Sequence, residues 1–187
     1  TGWREPGAIL LLLPGASGEG EPNEILFLPS RNPDKEIWTG VKLAPGDAEA
    51  QQRTGFATVM PVERFERQIT GAVEHSASVY TLPRGRMAER LRNLLPMREL
   101  QDAGPAIARL RMRKSETELA RMGKAIDATI AAHRKAWSMI RPGVFEFEIS
   151  AAMAAEYLAK GCERHAYTPI VGAGPNSVVL HYSANRR

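Results

Sequence analysis

The stretch Ser115-Glu116-Thr117-Glu118 marks the start of a long helix and divides the chain into two parts. A serine followed three residues later by a glutamate is typical of a capping box, in which each side chain satisfies a backbone N–H group of the other residue. The helical pattern stops at Arg141-Pro142-Gly143, because proline cannot continue the hydrogen-bond ladder of a helix. The spacing predicts a helix over residues 116–139 with recurring apolar residues at Leu119, Met122, Ile126, Ile130 and Trp137.

The residues after this helix predict a second helix and two short extended runs. The second helix covers residues 146–160 and ends before Gly161, since glycine favours the position just past a helix end. The extended runs, 168–171 and 178–182, flank a glycine-rich turn. The turn contains a Gly-x-Gly pair, but a proline follows it and no helix opens there. A dinucleotide-binding site is therefore not indicated.

Strand and helix patterns are interspersed in the first hundred residues. Apolar runs over 8–13 and 24–28, separated by a proline and a glycine-rich loop, predict an antiparallel hairpin. A helix is predicted to open at Pro61, and a strand over 78–82 and a helix over 86–95 follow. This mixture predicts an α/β fold class, with a first domain over 1–104, a connector over 105–114 with a short helix from 106 to 112, and a second domain over 115–187.

The composition indicates a chain with a hydrophobic core and no disulfide framework. Apolar residues make up 43% of the 187 residues. The single cysteine, Cys162, excludes an internal disulfide and a cysteine-type zinc site. The longest strongly apolar run, 8–13, is too short to span a bilayer, and no basic-then-apolar leader opens the chain. We expect a soluble, cytoplasmic chain without a membrane partner, cut at both ends.

Positive charge is concentrated between residues 84 and 124, a stretch that contains eleven Lys or Arg and only five Asp or Glu. Such a cluster can attract nucleic acid. The stretch contains no aromatic residue that could stack on a base, and no nucleic-acid-binding motif is present. We therefore interpret the cluster as a solvated basic face and expect no nucleic-acid partner.

His181 is the one candidate catalytic residue that the residue chemistry leaves open. The other histidines, His75, His133 and His165, have no partner at the spacing of metal ligands. No Asp or Glu follows Glu163, so His181 has no downstream carboxylate within the chain. His181 is then either an ordinary strand residue or part of an enzyme whose remaining groups lie beyond Arg187.

Five segments spread along nearly the whole chain carry a family resemblance. They are Thr1–Ala8, Phe27–Arg31 leading to Glu36–Gly40, Arg111–Glu118, Arg141–Glu146, and Tyr167–Gly172 through Leu180-His181-Tyr182. The first is similar to a Thr-Gly-x-x-Glu-Pro-x-Ala motif and the third to an Arg-x-x-Lys-Ser-x-x-Glu junction. In this order and spacing, the segments resemble the bacterial aminopeptidase P (Xaa-Pro aminopeptidase) branch of the creatinase, or pita-bread, metallopeptidases.

The resemblance implies a fold and an activity. The fold is a small creatinase-type N-terminal α/β domain followed by the first helices and strands of an incomplete pita-bread α+β domain. The activity is the release of the N-terminal residue from peptides with proline at the second position. In the family, two divalent metal ions, usually Mn²⁺, activate a hydroxide that attacks the scissile carbonyl. The family's metal ligands, two Asp, one His and two Glu, all follow the Leu-His-Tyr segment. We therefore expect the 187-residue chain alone to bind no catalytic metal and to hydrolyse nothing.

The resemblance also implies roles for three residues. It makes His181 the catalytic residue, beside the metals and in contact with the substrate or the tetrahedral intermediate, and makes Trp38 and Tyr182 substrate-binding residues. Trp38 would reach the active-site mouth of a neighbouring subunit of a homo-oligomer, where an indole face suits a proline ring. Packing inside the small domain is the alternative role for Trp38. Arg31, in the same segment, is either structural or at the rim of the site.

Two other functions stay open at this point. One is a prolidase that cleaves X-Pro dipeptides, and the other is a catalytically inactive creatinase-like module that binds peptides or partners. In the family, the helices over 116–139 and 146–160 cover a curved sheet that is mostly absent from this chain. We therefore expect the chain to expose apolar surface and to associate.

Overall fold

A computed structural model describes Trp3, residues 6–14 and residues 24–186. The Thr1–Ala8 segment and the loop between the first two predicted strands lie partly outside these residues. The chain forms two compact units, Thr1–Arg109 and Leu110–Arg187. The division into 1–104, 105–114 and 115–187 stays a prediction.

The first unit is built on a three-stranded sheet in the order β1-β2-β3. β1 (Ile9–Leu12) pairs antiparallel with β2 (Glu24–Leu28), which confirms the predicted hairpin. β3 (Val59–Pro61) pairs parallel with β2 on its other side. Because β2 is the central strand, both of its faces can be buried, and residues 25–28 are all less than 4% exposed.

The core of this unit lies on both faces of β2. On one face, Ile25 and Phe27 pack against α3 (Phe65–Glu74) and α4 (Arg86–Leu94). The rings of Phe27 and Phe65 meet edge to face with centroids 5.5 Å apart. On the other face, the alternate residues of β2 pack against Phe56.

The prediction of a helix opening at Pro61 is wrong in its boundary. Pro61 is the last residue of β3 and has an extended backbone, with φ −67° and ψ 141°. A 3₁₀ turn over Val62–Arg64 follows, and α3 begins only at Phe65. Proline is tolerated at the end of an edge strand because it leaves only one ladder donor missing.

The remaining elements of the first unit are short. The predicted strand over 78–82 and the predicted helix over 86–95 are confirmed as β4 (Val79–Thr81) and α4. β4 pairs parallel with β5 (Leu100–Asp102) in a separate two-stranded sheet. The connector helix is confirmed as α5 (Gly104–Met112). Elements without a sequence prediction are α1 (Pro33–Thr39), α2 (Ala50–Thr54), β3 and β5.

Several residues of the basic cluster have structural partners. The Arg90 guanidinium donates to the Glu66 carboxylate at 3.0 and 3.2 Å. The Arg98 guanidinium donates to the backbone oxygens of Val73 at 2.8 Å and Ser76 at 3.2 Å, at the C-terminal end of α3. These arginines therefore stabilise the first unit and are not simply a solvated face.

The second unit is dominated by α6 (Glu116–Met139) and α7 (Glu146–Ala159), as predicted. The capping box is present, with the Ser115 N–H donating to Glu118 Oε2 at 2.7 Å and the Glu118 N–H donating to Ser115 Oγ at 3.3 Å. The two helices pack against each other, and the buried residues of α6 are three alanines spaced four apart, Ala128, Ala132 and Ala136.

The predicted exposure of apolar residues on α6 is confirmed. Among the described residues, Leu119, Met122, Ile126 and Ile130 are 45–55% exposed and Trp137 is 67% exposed. None of the helices in the described part of the chain is long and apolar enough to cross a membrane.

The two predicted extended runs at the end of the chain form no strand. Residues 168–171 form no regular element, and Gly174–Val178 form a 3₁₀ turn that includes the start of the second predicted strand. Val178 and Leu180 are more than 80% exposed. A strand needs a neighbour to pair with its backbone N–H and C=O groups, and among the described residues no strand pairs with this segment.

Candidate functional site

The first residue of α7, Glu146, lies at the centre of a polar cluster in the second unit. Its side chain is among the most buried in the described chain, at 1% exposed. Glu146 Oε1 accepts hydrogen bonds from the Ala173 N–H at 2.7 Å and from Asn176 Nδ2 at 3.0 Å. The Glu146 N–H donates to the backbone oxygen of Arg186 at 3.1 Å. One glutamate thus contacts both ends of the segment 173–186.

The hydroxyl of Tyr182 completes this arrangement. It accepts from Asn176 Nδ2 at 3.1 Å and from the Arg186 N–H at 3.4 Å. An amide carries two N–H donors, and those of Asn176 are used by Glu146 and Tyr182. We call Glu146, Ala173, Asn176, Tyr182 and Arg186 the Glu146 cluster.

The cluster changes the acidity of two of its members. Burial raises the pKa of Glu146, but the hydrogen bonds from Asn176 and Ala173 outweigh burial and hold that pKa below its ordinary value of 4.5. Burial, and then the neighbouring Glu146 carboxylate, raise the pKa of the Tyr182 phenol above its ordinary value of 10.0. At neutral pH the cluster therefore holds an ionised glutamate and a neutral tyrosine.

His181 lies directly before Tyr182, and its side chain is exposed. The hydrogen-bonded Tyr182 side chain holds the backbone next to an imidazole that is exposed to solvent. His133 and His165 contact residues that are close to them in the sequence. His133 Nδ1 lies 2.9 Å from the Thr129 oxygen one turn earlier in α6, and the His165 ring meets Tyr157 edge to face.

Trp38 lies on α1, in the first unit, and is 88% exposed. The neighbouring Ile37 and Val41 are 80% and 76% exposed. We call these three residues the Trp38 patch. Such exposure does not agree with the alternative that Trp38 packs in the core of its own domain.

Arg31, Glu36 and Asp47 form an ionic network next to α1. Arg31 donates to both carboxylate oxygens of Asp47 at 2.8 and 3.0 Å and lies 3.5 Å from the Glu36 carboxylate. Glu36 in turn accepts from the Lys42 N–H at 3.2 Å. The Ala44 N–H, and then Arg31, hold the pKa of Asp47 below its ordinary value. Arg31 thus links the first residues before α1 to Asp47 and to Glu36 on α1.

Sequence reasoning missed Glu146, Asn176 and Asp47. A glutamate in the first turn of a helix ordinarily interacts with the helix dipole. The local sequence therefore does not distinguish Glu146 from Glu148, which lies in the same turn. The burial of Glu146 depends on contacts 27 and 30 residues away in the chain. The one available signal was that Glu146 and Asn176 both lie within or between the segments that carry the family resemblance.

Two family models match the chain. Residues 1–80 match the aminopeptidase P, N-terminal domain, and residues 120–187 match metallopeptidase family M24. The Xaa-Pro aminopeptidase of Haemophilus influenzae is 32% identical over 194 residues, covering 100% of this chain and 43% of that protein. The Xaa-Pro aminopeptidase of Escherichia coli is 29% identical over 199 residues, covering 99% and 44%. The chain thus spans less than half the length of these curated relatives.

The fold of the chain also matches solved structures over its full length. Aminopeptidase PepP of Pseudomonas aeruginosa matches with a TM-score of 0.88 at 26% identity, covering 100% of this chain and 44% of that one. Aminopeptidase P from E. coli with the inhibitor Pro-Leu matches with a TM-score of 0.87 at 26% identity, covering 100% and 45%. In sequence and in fold, the chain is similar to the N-terminal domain and the start of the catalytic domain of the aminopeptidase P metallopeptidases.

Proposed function

We propose that this chain works as the first part of a metal-dependent aminopeptidase that releases the N-terminal residue from peptides with proline at the second position. The observation that carries the proposal is the match of the whole chain, in sequence and in fold, to Xaa-Pro aminopeptidases. Both family segments lie in one chain, which favours an enzyme over an isolated binding module.

His181 is the catalytic residue of the proposal. An exposed imidazole can donate a hydrogen bond to a substrate carbonyl and to the oxyanion that forms on it. Such a donor stabilises charge only as it develops, so it raises the rate of the chemical step more than the affinity for substrate. Neighbouring Tyr182 is held by the Glu146 cluster, so the imidazole projects from a fixed backbone.

Trp38 and Tyr182 are the proposed substrate contacts. The indole of Trp38 is exposed and apolar, which suits it to the flat face of a proline ring. The Tyr182 hydroxyl is engaged within the Glu146 cluster, so its contact with substrate would be made through the ring. Proline has no N–H, and recognition of its ring by apolar surface replaces recognition of an amide donor.

The described residues do not by themselves fit the metal site of the family. Among them, no three or more His, Cys, Asp or Glu side chains group closely enough to hold a metal ion. We assign no metal ligand to this chain. In the complete enzyme, two divalent ions, Mn²⁺ in this proposal, would supply an activated hydroxide. The 187-residue chain alone is proposed to be inactive.

The proposed enzyme is a cytoplasmic homo-oligomer. The Trp38 patch supports self-association, because exposed neighbouring apolar side chains mark interaction surfaces. A stable interface buries about 1,600 Å², so the patch would form only part of it. The single cysteine suits a reducing compartment.

Hydrolysis by the full-length protein tests this function. With Mn²⁺ present, the protein should release the first residue from an X-Pro tripeptide and leave the matching X-Ala tripeptide intact. The 187-residue chain should cleave neither peptide. Cleavage restricted to X-Pro dipeptides would point to a prolidase, and no cleavage by the full-length protein would favour a binding module.

A further inference from the structure

We propose that Glu146 is a positioning residue that holds His181 in place through Asn176 and Tyr182. The inference deepens the proposed function, since it rests on the catalytic role of His181. Glu146 itself does not touch the substrate in this scheme.

Most residues of the segment 173–186 are exposed. Its one regular element is the 3₁₀ turn Gly174–Val178, and its apolar residues Val178, Val179 and Leu180 are 52–86% exposed. Burial of apolar surface therefore stabilises this segment only weakly. Hydrogen bonds to Glu146 stabilise the segment instead, because they hold it both at Ala173, near its start, and at Arg186, at its end.

A carboxylate suits this position because it can accept several hydrogen bonds at once. Charged acceptors make stronger hydrogen bonds than neutral ones. Oε1 uses two of these bonds, one from backbone and one from the Asn176 side chain. The second N–H of Asn176 then fixes the hydroxyl of Tyr182, the residue next to His181. The chain of contacts thus runs from α7 to the backbone at His181 without a gap.

The Glu146→Ala variant tests the positioning role directly. It should lower kcat of the full-length enzyme by about 10- to 100-fold and change KM little. The reason is that a misplaced His181 donor loses a hydrogen bond that forms mainly in the transition state. Glu146→Gln should retain most of the activity, since an amide oxygen can accept the same two bonds. Glu156→Ala, on the same helix α7, is the control and should leave kcat unchanged.

A double variant separates positioning through His181 from general damage. If Glu146 acts through His181, Glu146→Ala combined with His181→Ala should be no slower than His181→Ala alone. A further loss in the double variant would overturn the inference. Asn176→Ala should repeat the effect of Glu146→Ala, and it serves if the glutamate variant fails to fold.

Amide hydrogen exchange tests the same contacts without activity. In the 187-residue chain, Glu146→Ala should speed exchange at the Ala173 N–H by about 10-fold or more relative to Glu156→Ala. Unchanged exchange would overturn the inference even if the enzyme proves to be an aminopeptidase. Faster exchange in a protein where His181→Ala has no effect would instead contradict the proposed function and leave the structural contacts standing.

Discussion

The contact between α6 and α7 depends on small side chains. The Ala132→Leu variant tests how much free energy a larger side chain costs at this contact. Ala132 is fully buried and lies between two further buried alanines of α6. The substitution adds three carbons where the structure has close helix packing. Overpacking of this kind costs about 1–3 kcal/mol. Because 1.4 kcal/mol is a factor of ten, opening of the helix pair should become about 5- to 150-fold more frequent.

Hydrogen exchange in peptides from α6 and α7 measures that opening. Ala125→Leu is the matched control, since Ala125 is exposed on the same helix and alanine and leucine have similar helix propensities. We expect Ala132→Leu to raise exchange rates in both helices and Ala125→Leu to leave them close to those of the unchanged chain. Equal exchange in the two variants would refute the account of the alanine contact.

Three further predictions concern charge. The stabilisation from ionised Glu146 is fully present above pH 4.5 and is lost as pH falls through its lowered pKa, so acid should reduce the protection factor of the Ala173 N–H, the ratio of its intrinsic to its observed exchange rate. The phenol of Tyr182 should ionise above pH 10.0 in a titration followed by absorbance, and Tyr182→Phe should remove that late step; ionisation at 10.0 or below would contradict its burial. Arg98→Ala should lower the free energy of unfolding of the first unit by about 1–3 kcal/mol in urea, because two backbone oxygens lose a charged donor, whereas exposed Arg84→Ala should change it little.

The sequence was sufficient where the determining contacts are local. The capping box at Ser115 and Glu118 joins residues three apart, and both of its hydrogen bonds are present. The hairpin follows from two apolar runs that are close in the chain and pair in register. Such elements need no knowledge of the rest of the fold, since the residues that form them are neighbours.

The sequence was insufficient where distant contacts decide the structure. Residues 178–182 have the apolar content of a strand but lack a pairing strand among the described residues, so they form no strand, and only Val178 belongs to the 3₁₀ turn. Short elements such as β3 and β5 are three residues each and are defined by their partners more than by their own composition. The first-turn Glu146 is buried only because a later segment returns to it.

The site divides in the same way. His181 could be singled out from the residues, but its catalytic role came from the family resemblance. The exposure of Trp38 could not be predicted, because a tryptophan packs inside a domain as readily as it lies on the surface. The structure resolves this through the ionic network around Arg31, which braces α1 while its apolar side chains face outward.

The central claim is that this chain contributes His181 to a proline-specific aminopeptidase, and one rate measurement tests it most directly. In the full-length protein with Mn²⁺, His181→Ala should lower kcat on an X-Pro tripeptide by about 10²- to 10³-fold, the usual loss when an oxyanion donor is removed. His75→Ala, an exposed histidine at the end of α3, should keep the full rate. Equal rates for the two variants would contradict the claim.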